Sequence, residues 1–304
     1  MPANRFSRAA PQSAPTLHDR SNPAHRRGVS DAADIDDDDF IEEVTRGEVA
    51  LEPSEAADPR ALVEAKIPAD ILDAYEVHSY RSAAVILSES HPREFKELCD
   101  ALRAFKITTT MIRRAGGNES DIPKLLSNYL RPLGWDETII QGDLLIHLTS
   151  KALVGQTAKG KPKFEKRVRE LRREKYLDGH KVDYVKGRVA FDLEWNSKDQ
   201  TFDRDLYAFS AFAQCGVVDV GVLVTRGVSL NPALAEMGPA LKRDGSPEIT
   251  SSGRPRMVME KYGASTTWMG KLLYRLNAGR NGACPVLVIG ITPKCIEDWP
   301  IVAT

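Results

Sequence analysis

Three acidic residues stand close together in the stretch HKVDYVKGRVAFDLEWNSKDQ: Asp183, Asp192 nine residues on, and Glu194 two residues beyond that. Residues two apart on a β-strand project from the same side, so Asp192 and Glu194 share one face while Leu193 and Trp195 take the other. A turn at Lys186 and Gly187 brings Asp183 back beside them on a preceding strand. Crowded carboxylates repel one another unless a positive charge sits among them, and a hard cation such as Mg²⁺ supplies it. Such a centre suits phosphodiester hydrolysis, because the cation draws charge from a phosphoryl oxygen and lowers the pKa of a water in line with the leaving oxygen. On this reading Asp183, Asp192 and the backbone carbonyl of Leu193 hold the metal, and Glu194 holds or deprotonates the attacking water. Lys198 neutralises the phosphate in the transition state. The same alternation of acids and apolar residues also describes the solvated face of an edge strand, in which case no metal is bound.

The elements that must position these residues follow from periodicity. VDYVKG and RVAFDLEW read as paired strands, and VVDVGVLVTR and CPVLVIGI as further strands, the first apolar enough to be buried on both faces. TFDRDLYAFSAFAQCG reads as a helix ended by Gly216, with Leu206, Phe209 and Ala213 facing inward. Earlier, PREFKELCDALRAF places Phe95, Leu98, Leu102 and Phe105 on one helical face, and a helix follows Gly116 and Gly117 with Ile122, Leu125, Leu126 and Leu130 as its stripe. Its cap would be Asn118 or Ser120. TIIQGDLLIHLTSK suggests a strand or hairpin, FEKRVRELRREKYL a helix, residues 227–262 a long loop, and TTWMGKLLYRLNAG a last helix.

Charge is almost balanced over the 304 residues, yet it is unevenly placed. Nine of the 42 basic residues and three of the 43 acidic ones fall between Lys159 and Lys175, leaving 33 against 40 elsewhere. One basic surface on an otherwise acidic molecule fits a polyanion such as duplex DNA. Arg167, Arg169, Arg172 and Arg173 are the expected backbone contacts, unless the segment is a solvent-facing helix laced by Glu-to-Arg pairs. Arg254, Arg256 and Lys261 are further candidates, with Ser265 and Thr266 suited to a phosphate, and Arg226 reads equally as a phosphate contact or a structural ion pair. Residues 1–65 read as a disordered charged tail and 66–304 as the folded domain. Cys99, Cys215, Cys284 and Cys295 form no C-x-x-C pair, which speaks against a zinc knuckle or a disulfide framework and for a cytoplasmic location. His78, His91, His147 and His180 lack ligand spacing and read as surface or packing residues. No phosphate-binding glycine loop, serine-hydrolase elbow or apolar run long enough to span a membrane occurs. Glycoside hydrolysis by paired carboxylates would need sugar-stacking aromatics, and 7% aromatic content with a basic segment does not favour it.

The wider pattern resembles the BglII/BstYI family of type II restriction endonucleases, a branch of the PD-(D/E)xK nuclease fold. DYVKGRVAFDLE matches the family's spacing of acids, and the likeness extends through EWNSKDQTFDRDLYAF, GVVDVGVLVTR and GRNGACPVLVIGIT, with YEVHSYRSAAVIL and GGNESDIPKLLSNYLRPLGW resembling its opening elements. It covers residues from about 72 to 295. Two departures stand out: Asp192 replaces the Glu of better-known relatives, and Glu194 replaces their Gln, which moves the site toward a three-acid BamHI-like pattern. The resemblance implies an α/β fold with a mixed β-sheet flanked by helices, and a homodimeric, Mg²⁺-dependent enzyme cutting both strands of a short palindrome. It implies a cognate DNA methyltransferase as companion. A relative that grips DNA without cutting it is the alternative, should the shorter Asp192 hold the metal too loosely.

Overall fold

The computed structural model describes residues 57–114, 121–263 and 265–300. Of the tail expected over residues 1–65, residues 1–56 lie outside these, as do the turn and cap expected at Gly116, Gly117, Asn118 and Ser120. Folded structure begins ahead of residue 66: Ala57 bridges Tyr80 and Val63 is buried.

Helices α1 (Arg60–Lys66) and α2 (Ala69–Ala74) lead into strand β1 (Tyr75–Tyr80), followed by α3 (Ala83–Ser90), α4 (Pro92–Ala104), α5 (Thr109–Arg114) and α6 (Asp121–Leu130). Strands β2 (Asp136–Gln156) and β3 (Pro162–Lys186) form a long hairpin, and β4 (Val189–Glu194) returns from β3. Helix α7 (Thr201–Gln214), β5 (Val220–Arg226), α8 (Leu230–Glu236), α9 (Val258–Lys261), α10 (Met269–Asn277) and β6 (Val286–Ile291) complete the order. Among the described residues six strands pair as β1-β6-β5-β4-β3-β2, parallel between β4, β5 and β6 and antiparallel elsewhere. It is a mixed sheet with helices on both faces.

Strand alternation divides the core. Phe191, Leu193, Val222, Val224, Leu287 and Ile289 pack with Leu87, Leu98 and Leu102 of α3 and α4 on one face. Ala190, Leu223, Val286 and Val288 meet Phe202, Leu206 and Phe209 of α7 and Leu272 and Leu276 of α10 on the other. Since Asp192 and Glu194 continue the Ala190 side, the sheet directs them toward α7. That helix is drawn close at Gly221 of β5, where an added Cβ would meet the Phe209 ring at 2.3 Å. Gly221→Ala should therefore push α7 off the sheet and cost about 1–3 kcal/mol, read by chemical denaturation. An unchanged midpoint would show that α7 has freedom to shift.

Two expectations are corrected. FEKRVRELRREKYL is the second strand of the hairpin, with residues 164–173 opposite 144–153. Residues 227–262 carry α8, α9 and short bridges between Pro239 and Met257, Leu241 and Pro247, and Ile249 and Pro255. No described helix is long and apolar enough to cross a membrane.

Candidate active site

The β3-β4 ladder pairs Tyr184 with Phe191, and the next step sets Asp183 against Asp192, whose Oδ1 accepts the Asp183 backbone N–H at 2.7 Å. The register with β2 slips here: Asp136 opposes Val185 but Thr138 opposes Val182, so two steps of β2 face three of β3. The extra residue falls at Asp183 and Tyr184, a β-bulge that changes which side chains of β3 aim at the sheet's α7 side. Glu194 ends β4, and its carbonyl accepts the Thr225 hydroxyl at 2.8 Å and the Thr267 hydroxyl at 3.1 Å. Those two bonds fix the strand end that carries the acid.

A fourth carboxylate joins from α7. Asp205 is 1% exposed, with its Oδ1 3.4 Å from His180 Nε2 and 3.3 Å from the Arg204 guanidinium. Ligand atoms of His180, Asp192 and Asp205 lie within 4.8 Å of one another. Sequence spacing concealed this group, because Asp205 comes from a helix and His180 from beyond the bulge. One signal was present: Asp205 lies within the apolar stripe of Phe202, Leu206 and Phe209, where a charged residue has no packing role.

Burial, then the charges of Asp205 and Asp183, hold Asp192 well above the usual carboxylate range. Burial and Asp205 likewise lift Glu194 to about 8, against the pull of the Ser197 hydroxyl, and burial raises Asp183. Among the described residues, Asp192 Oδ2, Glu194 Oε2, Asp205 Oδ2 and His180 Nε2 are buried polar atoms without a hydrogen-bond partner. Buried orphans of this kind cost about 1–3 kcal/mol each. Several converging on one place fit a divalent cation, whose charge would also relieve the repulsion.

These shifts fix a pH dependence for the metal-free protein. An acid whose pKa is raised on folding stabilises the fold below its ordinary value, and that contribution is lost as pH rises through the folded value. For Glu194 the window runs from 4.5 to about 8. Melting temperature in EDTA should fall between about pH 5 and pH 9, with Mg²⁺ recovering most of the loss at the alkaline end. A pH-independent melt would mean that the acids are solvated.

Other sequence candidates fall elsewhere. Arg226 is fully buried and donates to the carbonyls of Trp195 (3.1 Å) and Thr267 (2.7 Å) and to the Thr266 hydroxyl (2.6 Å), with its guanidinium over the Tyr262 ring. It is a clamp within the fold, not a surface group, and it also occupies the Thr266 hydroxyl. Arg254 pairs with Glu260, while Arg256 and Lys261 both pair with Glu248. Lys198 is exposed just past β4, its backbone bridging Thr266. Arg167, Arg169, Arg172 and Arg173 lie on the exposed part of the hairpin. Cys99, Cys215, Cys284 and Cys295 are free thiols.

The family model described as restriction endonuclease BglII/BglIII matches residues 75–291, from the first residue of β1 to the last of β6. No curated protein matches the chain.

Proposed function

Because this chain belongs to the BglII/BglIII restriction endonuclease family, nucleases that act on DNA phosphodiester bonds, we propose that it is a type II enzyme making Mg²⁺-dependent cuts in both strands of a short palindromic site. The observation that supports this reading is that Asp183 stands beside Asp192 on neighbouring internal strands of the matched region, with Glu194 two residues on, and that Asp192 and Glu194 each carry a buried oxygen without a partner. Asp183, Asp192 and the Leu193 carbonyl would hold the cation. When bound, it would polarise the scissile phosphate and lower the pKa of a coordinated water.

The chain's own residues supply the rest. Glu194, two residues beyond Asp192 at the end of the same strand, would hold or deprotonate the attacking water once the burial and repulsion that raise its pKa are offset by the cation. The Thr225 and Thr267 hydroxyls hold its strand end in place. Lys198, exposed beyond that strand, would meet the phosphate. The β2-β3 hairpin would lie along the backbone of the duplex, and its basic residues would give the salt-dependent share of affinity. A twofold-symmetric dimer would present two such sites to the two halves of a palindrome, in a cytoplasm where a cognate methyltransferase protects host DNA.

The alternative, a DNA-binding relative without activity, follows from the one-methylene shortening at Asp192. Incubating the protein with unmethylated plasmid and Mg²⁺ separates the two. Discrete fragments, suppressed by EDTA, are expected; intact plasmid that is retarded in a gel would support the inactive relative instead.

A further inference from the structure

We infer that Asp205 and His180 complete the cation site, adding one carboxylate and one imidazole nitrogen to the oxygens of Asp183, Asp192 and the Leu193 carbonyl, and that it binds Mn²⁺ more tightly than Mg²⁺. This rests on the nuclease reading of the same site, but neither residue belongs to the strand motif that supports that reading. Asp205 is 1% exposed in the middle of the apolar face of α7, and its Oδ2 has no partner. A buried carboxyl oxygen left without a hydrogen bond is costly, which points to a ligand there. Arg204, its neighbour in sequence, reaches only the other oxygen, Oδ1.

His180 supplies the second observation. Its Nε2 is buried and stands 3.4 Å from Asp205 Oδ1 without making a hydrogen bond. With Asp192 these two residues offer three ligand atoms within 4.8 Å of one another. Oxygen and nitrogen ligands held about 2.1 Å from one ion are separated by about 3 Å when adjacent and about 4.2 Å when opposite. His180 Nε2 and Asp205 Oδ1, 3.4 Å apart, already stand near the adjacent separation, and the 4.8 Å limit on the group exceeds the opposite separation by about 0.6 Å. His180 and Arg204 also line a cavity of about 240 Å³ with Tyr207 and Leu177, so the histidine borders open space on one side. Imidazole is a poor ligand for Mg²⁺ and a good one for transition metals, so a mixed set shifts preference toward Mn²⁺.

Titration of DNA-free protein with Mn²⁺ or Mg²⁺ alone, by calorimetry at about pH 8, tests the inference. Wild type should bind Mn²⁺ at least about tenfold more tightly than Mg²⁺. Asp205→Asn should weaken both by about tenfold or more, and His180→Asn should remove most of the Mn²⁺ advantage while changing Mg²⁺ affinity by less than about threefold. Pulsed electron paramagnetic resonance of the Mn²⁺ form should show a nitrogen coupling that disappears in His180→Asn, a signal that a structural role for the histidine would not produce. Unchanged affinities in Asp205→Asn, or absence of the nitrogen coupling in wild type, would overturn the inference. Asp192→Asn separates the two levels: if it alone abolishes binding, the nuclease reading stands and this inference falls. If wild type binds neither ion, the fault lies in that reading. Circular dichroism and melting curves check that each variant is folded.

Discussion

Asp192→Asn will lose cleavage by at least about a thousandfold while remaining folded and able to bind DNA. The amide keeps the shape of the carboxylate, and its Oδ1 can still accept the Asp183 N–H that joins β3 to β4. What it removes is one negative charge from a buried group already pressed by Asp205, Asp183 and Glu194. A metal centre stabilises transition-state charge by several kcal/mol, and each 1.36 kcal/mol is a factor of about ten in rate, so loss of a ligand should exceed three orders of magnitude. Asp183→Asn should behave alike. The effect on stability should have the opposite sign: with repulsion relieved, the variant should melt at or above the wild-type temperature in EDTA at about pH 8. Plasmid digestion with Mg²⁺, gel retardation with Ca²⁺ and melting curves measure the three quantities. Full activity in the variant would remove Asp192 from the catalytic centre, whereas loss of activity with a collapsed melt would assign it to the fold alone.

Part of this candidate site is legible in sequence and part is not, according to whether local strand geometry or distant contacts place each residue. Asp192 and Glu194 were readable because a strand has a period of two, and a pair of acids at that spacing within an apolar strand has one common direction. Asp183 followed from the turn at Lys186 and Gly187. His180 did not, because the bulge at Asp183 and Tyr184 inserts a residue that a regular register does not contain. Asp205 depends on how α7 docks on β5, which rests on Phe209 seating over Gly221, a contact between distant parts of the chain. The basic segment misled for a different reason. Glu165 and Arg169 stand four apart and suit a helix surface, but pairing with β2 overrides local preference, as it commonly does for strands. Arg226 illustrates the converse, since a lone arginine ending a strand reads equally well as a surface contact until its carbonyl partners are seen.

The hairpin leads to the second large effect, a loss of salt-dependent DNA affinity on neutralising one of its faces. Only Tyr184–Lys186 of β3 pair with β4, and residues 147–170 are exposed almost throughout, so among the described residues no third strand joins the outer ribbon. At about 3.3 Å per residue its outer dozen residues extend about 40 Å. Between Lys151 and Lys175 it carries ten Lys or Arg against three Glu. An isolated two-stranded ribbon is marginal by itself, and one this basic is best complemented by a polyanion. Strand alternation separates the four arginines: Arg167, Arg169 and Arg173 share one face, while Arg172 lies on the other and is held by Asp143 at 2.7 Å. Each phosphate contact contributes about 0.9 to the slope of log affinity against log salt. Replacing Arg167, Arg169 and Arg173 together by Gln should therefore reduce that slope by nearly three and weaken binding at about 0.1 M salt by roughly a few hundredfold. Arg172→Gln, whose cation already has a carboxylate partner, should change the slope by less than about 0.3. Filter-binding isotherms with Ca²⁺ over a range of KCl concentrations measure both. Because these side chains are exposed, melting temperature should not move, and a triple variant with the wild-type slope would show that the duplex lies against another surface.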